Sequence, residues 1–317
     1  MRQYTEKIRE IAKRLLKEGT VEIFIGYKKG TVAMMNEPVL IDDPEKADIL
    51  FWDSNCALNL CNYLTGRKEK RIGILATGCN SRSIVNHIIE NQIKREQLYI
   101  VGVPCTGMVD HRAVKRAVGQ REILDFIDNG ESFTVRGKDF EEQFEKKKFL
   151  QQNCAVCLHR NPVIYDELVA DKVEEQKDVN PYRDVESIEK MESEKKWDFF
   201  TQLISSCIRC YACRNACPLC YCPTCFVDES RPQWVGKSND PTDTMTFHIL
   251  RAFHCAGRCT DCGACERVCP MDIPMRQFTK KLNKDALELF SWEAGLSLDK
   301  RPALDVYRVD DYNDFIR

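Results

Sequence analysis

The chain has 317 residues, a 43% apolar fraction and a formal net charge of −2 at pH 7, enough for about two domains with cores of their own. The near-neutral balance gives no electrostatic footprint for nucleic acid. No apolar run approaches the ~18 residues of a membrane span, and the opening MRQYTEKIRE is no signal peptide. The expected compartment is therefore the reducing cytoplasm, where eighteen cysteines are not a disulfide framework.

Residues 4–18 set Ile8, Ile11, Leu15 and Leu16 on one face and end at Gly19, the pattern of an amphipathic helix. Strands are expected at 21–27, 39–41, 49–52 and 71–77. RIGILAT leads into Gly78-Cys79 and a helix over 83–94, and YIVGVP (99–104) is the next strand. This strand–turn–helix–strand order is a parallel βαβ unit, so the first half reads as an α/β domain with a mostly parallel sheet. It carries neither G-x-G-x-x-G nor a phosphate-binding G-x-x-x-x-G-K-[ST] loop.

Cys79 and Cys105 each follow a strand of that unit, at the carboxyl ends where open sheets hold ligands. Cys154 and Cys157 form a close pair after a charged helix expected over 138–149. Four thiols from three loops suit one cubane cluster; zinc or buried, inert cysteine are the alternatives. The C-x4-C pair Cys56 and Cys61 fits the metal spacings poorly, and core packing or a partner-facing role is weighed equally with ligation. Residues 171–197 are dominated by Lys, Glu and Asp and read as a solvated linker between domains 1–170 and 198–285.

The second domain contains two full C-x2-C-x2-C-x3-C-P runs, Cys207-Cys210-Cys213-Cys217 and Cys259-Cys262-Cys265-Cys269. In such runs three thiolates wrap one cluster and the fourth, before proline, reaches the other. One [4Fe-4S] cluster should take Cys207, Cys210, Cys213 and Cys269, and the second Cys259, Cys262, Cys265 and Cys217. Zinc knuckles explain neither the third cysteine nor the trailing Cys-Pro. Between the runs Cys220, Cys222, Cys225 and Cys255 remain, enough for a further centre, with iron–sulfur favoured over zinc. His248 and His254 read as ordinary helix residues rather than a ligand pair. A helix over 244–256 leads into the second run, which predicts a helical double-cluster domain. Another helix follows Pro274, and the tail 286–317 carries Trp292, Tyr307, Tyr312 and Phe315 as candidate contacts with a neighbour.

GRCTDCGACERVCP after FHILRAFH resembles the double-cluster module of heterodisulfide reductase small subunits. ILATGCNSRSIV, IVGVPCTGM and NCAVC are similar to the beta subunit of coenzyme F420-reducing hydrogenase and to F420- or formate-linked dehydrogenases. That resemblance implies a cubane at Cys79, Cys105, Cys154 and Cys157 and a place in a large cytosolic complex beside a heterodisulfide-reductase-like flavin subunit. The division of sixteen thiols into eight, four and four predicts four clusters in all. Such beta subunits usually bear FAD, but no glycine-rich flavin segment is evident here.

The leading expectation is an iron–sulfur electron-transfer subunit of a soluble oxidoreductase complex, relaying single electrons between a flavin or metal site and a partner. The alternatives are a subunit that binds FAD or FMN and itself acts on F420 or NAD(P)H, and a non-redox, zinc-stabilised binding protein.

Overall fold

Short runs of Ile, Leu and Val build the first half of the computed structural model, which describes residues 1–302. Its elements are α1 (Arg2–Lys17), β1 (Ile23–Lys28), β2 (Glu37–Ile41), β3 (Ile72–Ala76), α2 (Gly78–Ile89), β4 (Leu98–Gly102) and α3 (His111–Ala117). Then come β5 (Asp125–Asp128), β6 (Ser132–Arg136), β7 (Glu141–Glu145), α4 (Gln152–Ala155) and β8 (Glu167–Leu168). One sheet runs in the order β2-β1-β3-β4-β8 and is parallel except between β1 and β2. The parallel register pairs Ile25 with Ile74 and Ile74 with Ile100, so the central strands are apolar throughout. The stripe Ile8, Ile11, Ala12 and Leu15 of α1 is fully buried against this core.

A separate antiparallel sheet, β5-β6-β7, stands where a charged helix was expected over 138–149. Residues 141–145 alternate between exposed and half-buried, a period of two that turns Phe144 toward Phe133 at 5.5 Å. The strand expected at 49–52 is also replaced. Pro44–Ile49 forms a 3₁₀ turn capped by the Asp43 carboxylate on Glu45 N at 2.9 Å, leaving Leu50 only a single bridge to Lys28.

The second half is helical: α5 (Arg183–Glu189), α6 (Ser193–Ile204), α7 (Ala212–Asn215), α8 (Pro241–His254), α9 (Ala264–Arg267) and α10 (Arg276–Phe290). The segment 171–197, read as a solvated linker, contains α5 and the start of α6. Val185 is buried, and Glu189 bridges Lys281 and Lys284 of α10 at 2.8 and 2.6 Å. Of the tail aromatics, Trp292 donates to the Gly257 carbonyl at 2.6 Å, within the chain itself. Tyr307, Tyr312 and Phe315 lie outside the described residues.

Helix α2 joins the halves. Ser83, Asn86 and His87 are buried because they bond the cysteine-rich half: Ser83 Oγ to Thr260 Oγ1 at 2.9 Å, Asn86 Nδ2 to the Arg258 carbonyl at 2.5 Å, His87 Nε2 to the Pro218 carbonyl at 2.6 Å. Glu90, just past the helix, holds Arg258 at 2.5 and 2.8 Å.

Candidate functional site

The two cysteine runs fold alike. Arg209 and Asp261, at equivalent positions, have φ of 51° and 55°, and Tyr211 and Gly263 follow at 59° and 74°. Such left-handed backbone is costly for residues other than glycine, by about 1–2 kcal/mol each, and persists where it sets functional geometry. Here it curls each loop so that its amide faces its own sulfur: Arg209 N lies 3.4 Å from Cys207 Sγ, and Asp261 N lies 3.4 Å from Cys259 Sγ. In the first half Gly107 N meets Cys105 Sγ at 3.3 Å by the same two-residue step. Amide donors aimed at sulfur stabilise a thiolate and tune any cluster it holds.

The thiols gather around three cavities. Cys207, Cys210, Cys213 and Cys269 line the first, with Phe247 and Met275 as its apolar wall. Cys217, Cys259, Cys262 and Cys265 line the second, joined by Cys255 and Arg251. In both, the cysteine before proline comes from the other run. The third cavity, of about 350 Å³, lies between the halves and is lined by Cys79, Cys105, Cys154 and Cys157 together with Cys56, Cys259 and Cys262. Cys259 and Cys262 thus open on both the second cavity and the third.

Local sequence accounts for the third cavity. Cys79 begins α2 directly after β3, its sulfur 3.3 Å from Thr77 Oγ1. Gly78 is required there, because a Cβ would stand 2.0 Å from the His159 carbonyl oxygen. Gln176 Nε2 ties the Cys154 and Cys157 carbonyls at 3.2 and 2.9 Å. Gly263 lets Asn153 approach, and Asn153 in turn donates to the Asp261 carbonyl at 3.1 Å.

Burial raises the free thiols: Cys157 to about 11, Cys259 to about 12, and Cys79, Cys154 and Cys265 likewise upward. A metal that binds them as thiolates displaces those protons. Among the described residues, no three His, Cys, Asp or Glu side chains close on a point suited to a single ion. The sets of four thiols instead surround open space, and that donor set fits an iron–sulfur cluster.

The remaining expected centre is divided. Cys220 and Cys255 pack with Cys217 and Leu219. Cys225 packs against the cluster that contains Cys213 and Phe247, while Cys222 is exposed. Cys61 is buried in the sheet core. His248, read as an ordinary helix residue, has its Nε2 3.3 Å from Cys207 Sγ.

Sequence reasoning missed the charged residues around the thiols. Arg276, 1% exposed, pairs with Asp261 at 2.7 Å and Glu266 at 3.3 Å, and Lys280 reaches Asp261 at 3.2 Å. Arg82 and His159 meet Glu293 at 2.9 and 2.7 Å on the rim of the third cavity. Asp261, Glu266, Arg82 and His159 lie within three residues of a cysteine, but Arg276, Lys280 and Glu293 carry no such signal.

Comparison with known proteins bears on the same residues. Residues 202–273 match the 4Fe-4S dicluster domain model. The F420-dependent formate dehydrogenase subunit beta of Methanocaldococcus jannaschii is 22% identical, the alignment covering 93% of each chain. The F420-dependent formate dehydrogenase 1 subunit beta of Methanococcus maripaludis is also 22% identical, over 92% of this chain and 91% of that one. A chain of the F420-reducing [NiFe] hydrogenase complex from Methanosarcina barkeri superposes with a TM-score of 0.39 at 14% identity, over 50% of this chain and 63% of its own. The chain therefore carries a 4Fe-4S dicluster domain and, along more than nine-tenths of its length, is similar to beta subunits of F420-dependent formate dehydrogenases.

Proposed function

We propose that the chain is an iron–sulfur electron-transfer subunit of a multi-subunit oxidoreductase complex, relaying single electrons between a flavin or metal site and a partner subunit. The observation that carries this reading is the sharing of Cys259 and Cys262 by two adjoining thiol-lined cavities. It sets the group at 79, 105, 154 and 157 beside the group at 259, 262, 265 and 217, and the crossed Cys217 and Cys269 tie that group to the one at 207, 210, 213 and 269. Bound there, [4Fe-4S] clusters supply one-electron storage with little structural change. The protein's own residues hold the thiolates, aim amides at sulfur and exclude water.

Residues 1–170 would form the domain with the first-half centre, and 198–285 the multi-cluster domain, with 171–197 joining them. The partners are redox subunits, a heterodisulfide-reductase-like flavin subunit among them, and the compartment is the cytoplasm; no described helix is long and apolar enough to cross a membrane. The relatives' names point to formate as the ultimate donor and F420 as the carrier exchanged by the whole complex.

One observation favours a second reading, in which the chain binds FAD or FMN and meets the hydride carrier itself. The third cavity extends past its four thiols to Arg82, Tyr182 and Trp292, and its 350 Å³ falls in the ~300–1,000 Å³ range of small-molecule pockets.

Purification without oxygen, with iron, sulfide, zinc and flavin quantified per chain, tests both. Three centres predict about twelve irons, and a fourth at Cys220, Cys222, Cys225 and Cys255 raises this to about sixteen. Stoichiometric zinc with few irons would refute the relay, and stoichiometric flavin would favour the second reading.

A further inference from the structure

Helix α8 sends one cation inward between the two ligand sets of the dicluster domain. Arg251 is 5% exposed. Its Nη2 donates to the Cys213 carbonyl at 3.2 Å, and its Nε is buried with no hydrogen-bond partner. It lines the cavity of Cys217, Cys259, Cys262 and Cys265, while Cys213, whose carbonyl it holds, lines the neighbouring one.

The other buried arginines of the site have carboxylates. Arg276 has Asp261 and Glu266, Arg209 has Asp243 at 3.8 Å, and Arg82 has Glu293. Among the described residues Arg251 pairs with no carboxylate. A buried guanidinium without an anion is strongly disfavoured, so its position requires negative charge from something else. The thiols of Cys217 and Cys265 line the same cavity as the guanidinium, and the carbonyl it holds belongs to Cys213. All three residues belong to the two proposed ligand sets.

We propose that Arg251 is the shared counter-ion of the two dicluster centres and raises the reduction potential of both. The inference rests on the assignment of [4Fe-4S] clusters to these eight thiols. One-electron reduction adds one negative charge to a centre, with no bond made or broken. A fixed cation in a low-dielectric site favours the more negative form, and charge and hydrogen bonding near the sulfurs are what set cluster potentials. Because the guanidinium lines one set's cavity and holds a ligand carbonyl of the other, its effect falls on both centres. Arg251 is a positioning residue that acts on the thiolates and takes no part in electron exchange.

The experiment compares Arg251→Gln, which removes the charge and keeps a donor for the Cys213 carbonyl, with Arg251→Lys, which keeps the charge. Both are purified anaerobically as the full chain, and iron content and spectroscopic redox titration are measured. With Arg251→Gln, both centres should become harder to reduce, the oxidised-to-reduced ratio at fixed potential rising at least tenfold, about 59 mV for a one-electron couple. Arg251→Lys should keep both potentials close to wild type. Unshifted potentials in a fully loaded Arg251→Gln protein would overturn the inference, as would a shift confined to one centre. Iron loss from the Gln and Lys variants alike would overturn it too, since it would assign Arg251 to packing. A wild-type protein that binds no iron would instead refute the cluster assignment beneath it.

Discussion

Replacing Cys217 with Ala tests the crossed pairing of the two runs. Cys217 follows α7, yet its sulfur faces the cavity of Cys259, Cys262 and Cys265. Its loss should therefore damage the centre encoded some fifty residues downstream and spare the one beside it in sequence. A cubane deprived of a thiolate and lost altogether removes about four irons, half of the roughly eight in the dicluster domain. The structure refines this magnitude. Cys255 lines the same cavity and packs with Cys217, so it can stand in as the fourth ligand. The single variant should then keep part of that iron with altered spectra, and Cys217→Ala with Cys255→Ala should lose all four. Iron and sulfide per chain, with paramagnetic spectra of the reduced protein, read the outcome. If the centre of Cys207, Cys210 and Cys213 changes while the other stays intact, the crossed pairing is wrong.

Two further outcomes are expected. Cys157→Ser should remove about four irons, leave the dicluster signals in place and sharply lower electron flux through a reconstituted complex; unchanged flux would put that centre off the route. Burial pushes the Asp53 carboxyl up to about 6. The folded state therefore holds its proton more tightly than the unfolded one, and stability falls as pH rises from about 4 to about 6, by about 3 kcal/mol in all. Asp53→Asn keeps an acceptor for Asn36 Nδ2 and Asn55 N, now at 2.6 and 2.7 Å. It should flatten that slope and raise stability at pH 7 by about 1–3 kcal/mol; parallel denaturant midpoints for the two proteins from pH 5 to 7 would refute this.

Spacing made the grouping of the thiols around the cavities legible. Two C-x2-C-x2-C-x3-C-P runs leave few geometries for eight thiols, and Cys79 and Cys105 fall at strand ends because a βαβ unit puts its loops there. The central strands were equally plain, since Ile72–Ala76 and Leu98–Gly102 are buried on both faces. Patterns that compete were not. Residues 138–149 are charged enough to read as an exposed helix, but two-residue alternation with Phe144 makes Glu141–Glu145 a strand, and Lys146–Phe149 turns as a 3₁₀ helix. In α2, nothing in the sequence marked Ser83, Asn86 and His87 as buried, because polarity alone cannot tell water from a docked domain that supplies carbonyls. Arg251 was hidden for a related reason: one cation on an amphipathic helix carries no mark of burial until its partners are seen.

Those buried polar contacts bear on how a relay could work in this chain. Single-electron transfer needs centres held at fixed separation, and the thiol set at the sheet and the dicluster domain belong to different parts of the chain. Apolar packing alone tolerates sliding, because it has no direction. Hydrogen bonds do not, since each has a narrow range of length and angle. The junction uses the second kind: Ser83 on Thr260, His87 on the Pro218 carbonyl, and Asn153 on the Asp261 carbonyl. Thr260 and Asp261 lie between Cys259 and Cys262, and Pro218 follows Cys217. The contacts that join the halves are therefore made on the ligand loops themselves, so a shift of one half against the other would break bonds to the residues that carry the thiols. The Glu90–Arg258 pair, next to Cys259, adds a partly buried charge contact whose loss would leave one charge unpaired. Docking and ligand geometry are thus one set of bonds, and the sheet-side thiols keep their place against Cys259 and Cys262.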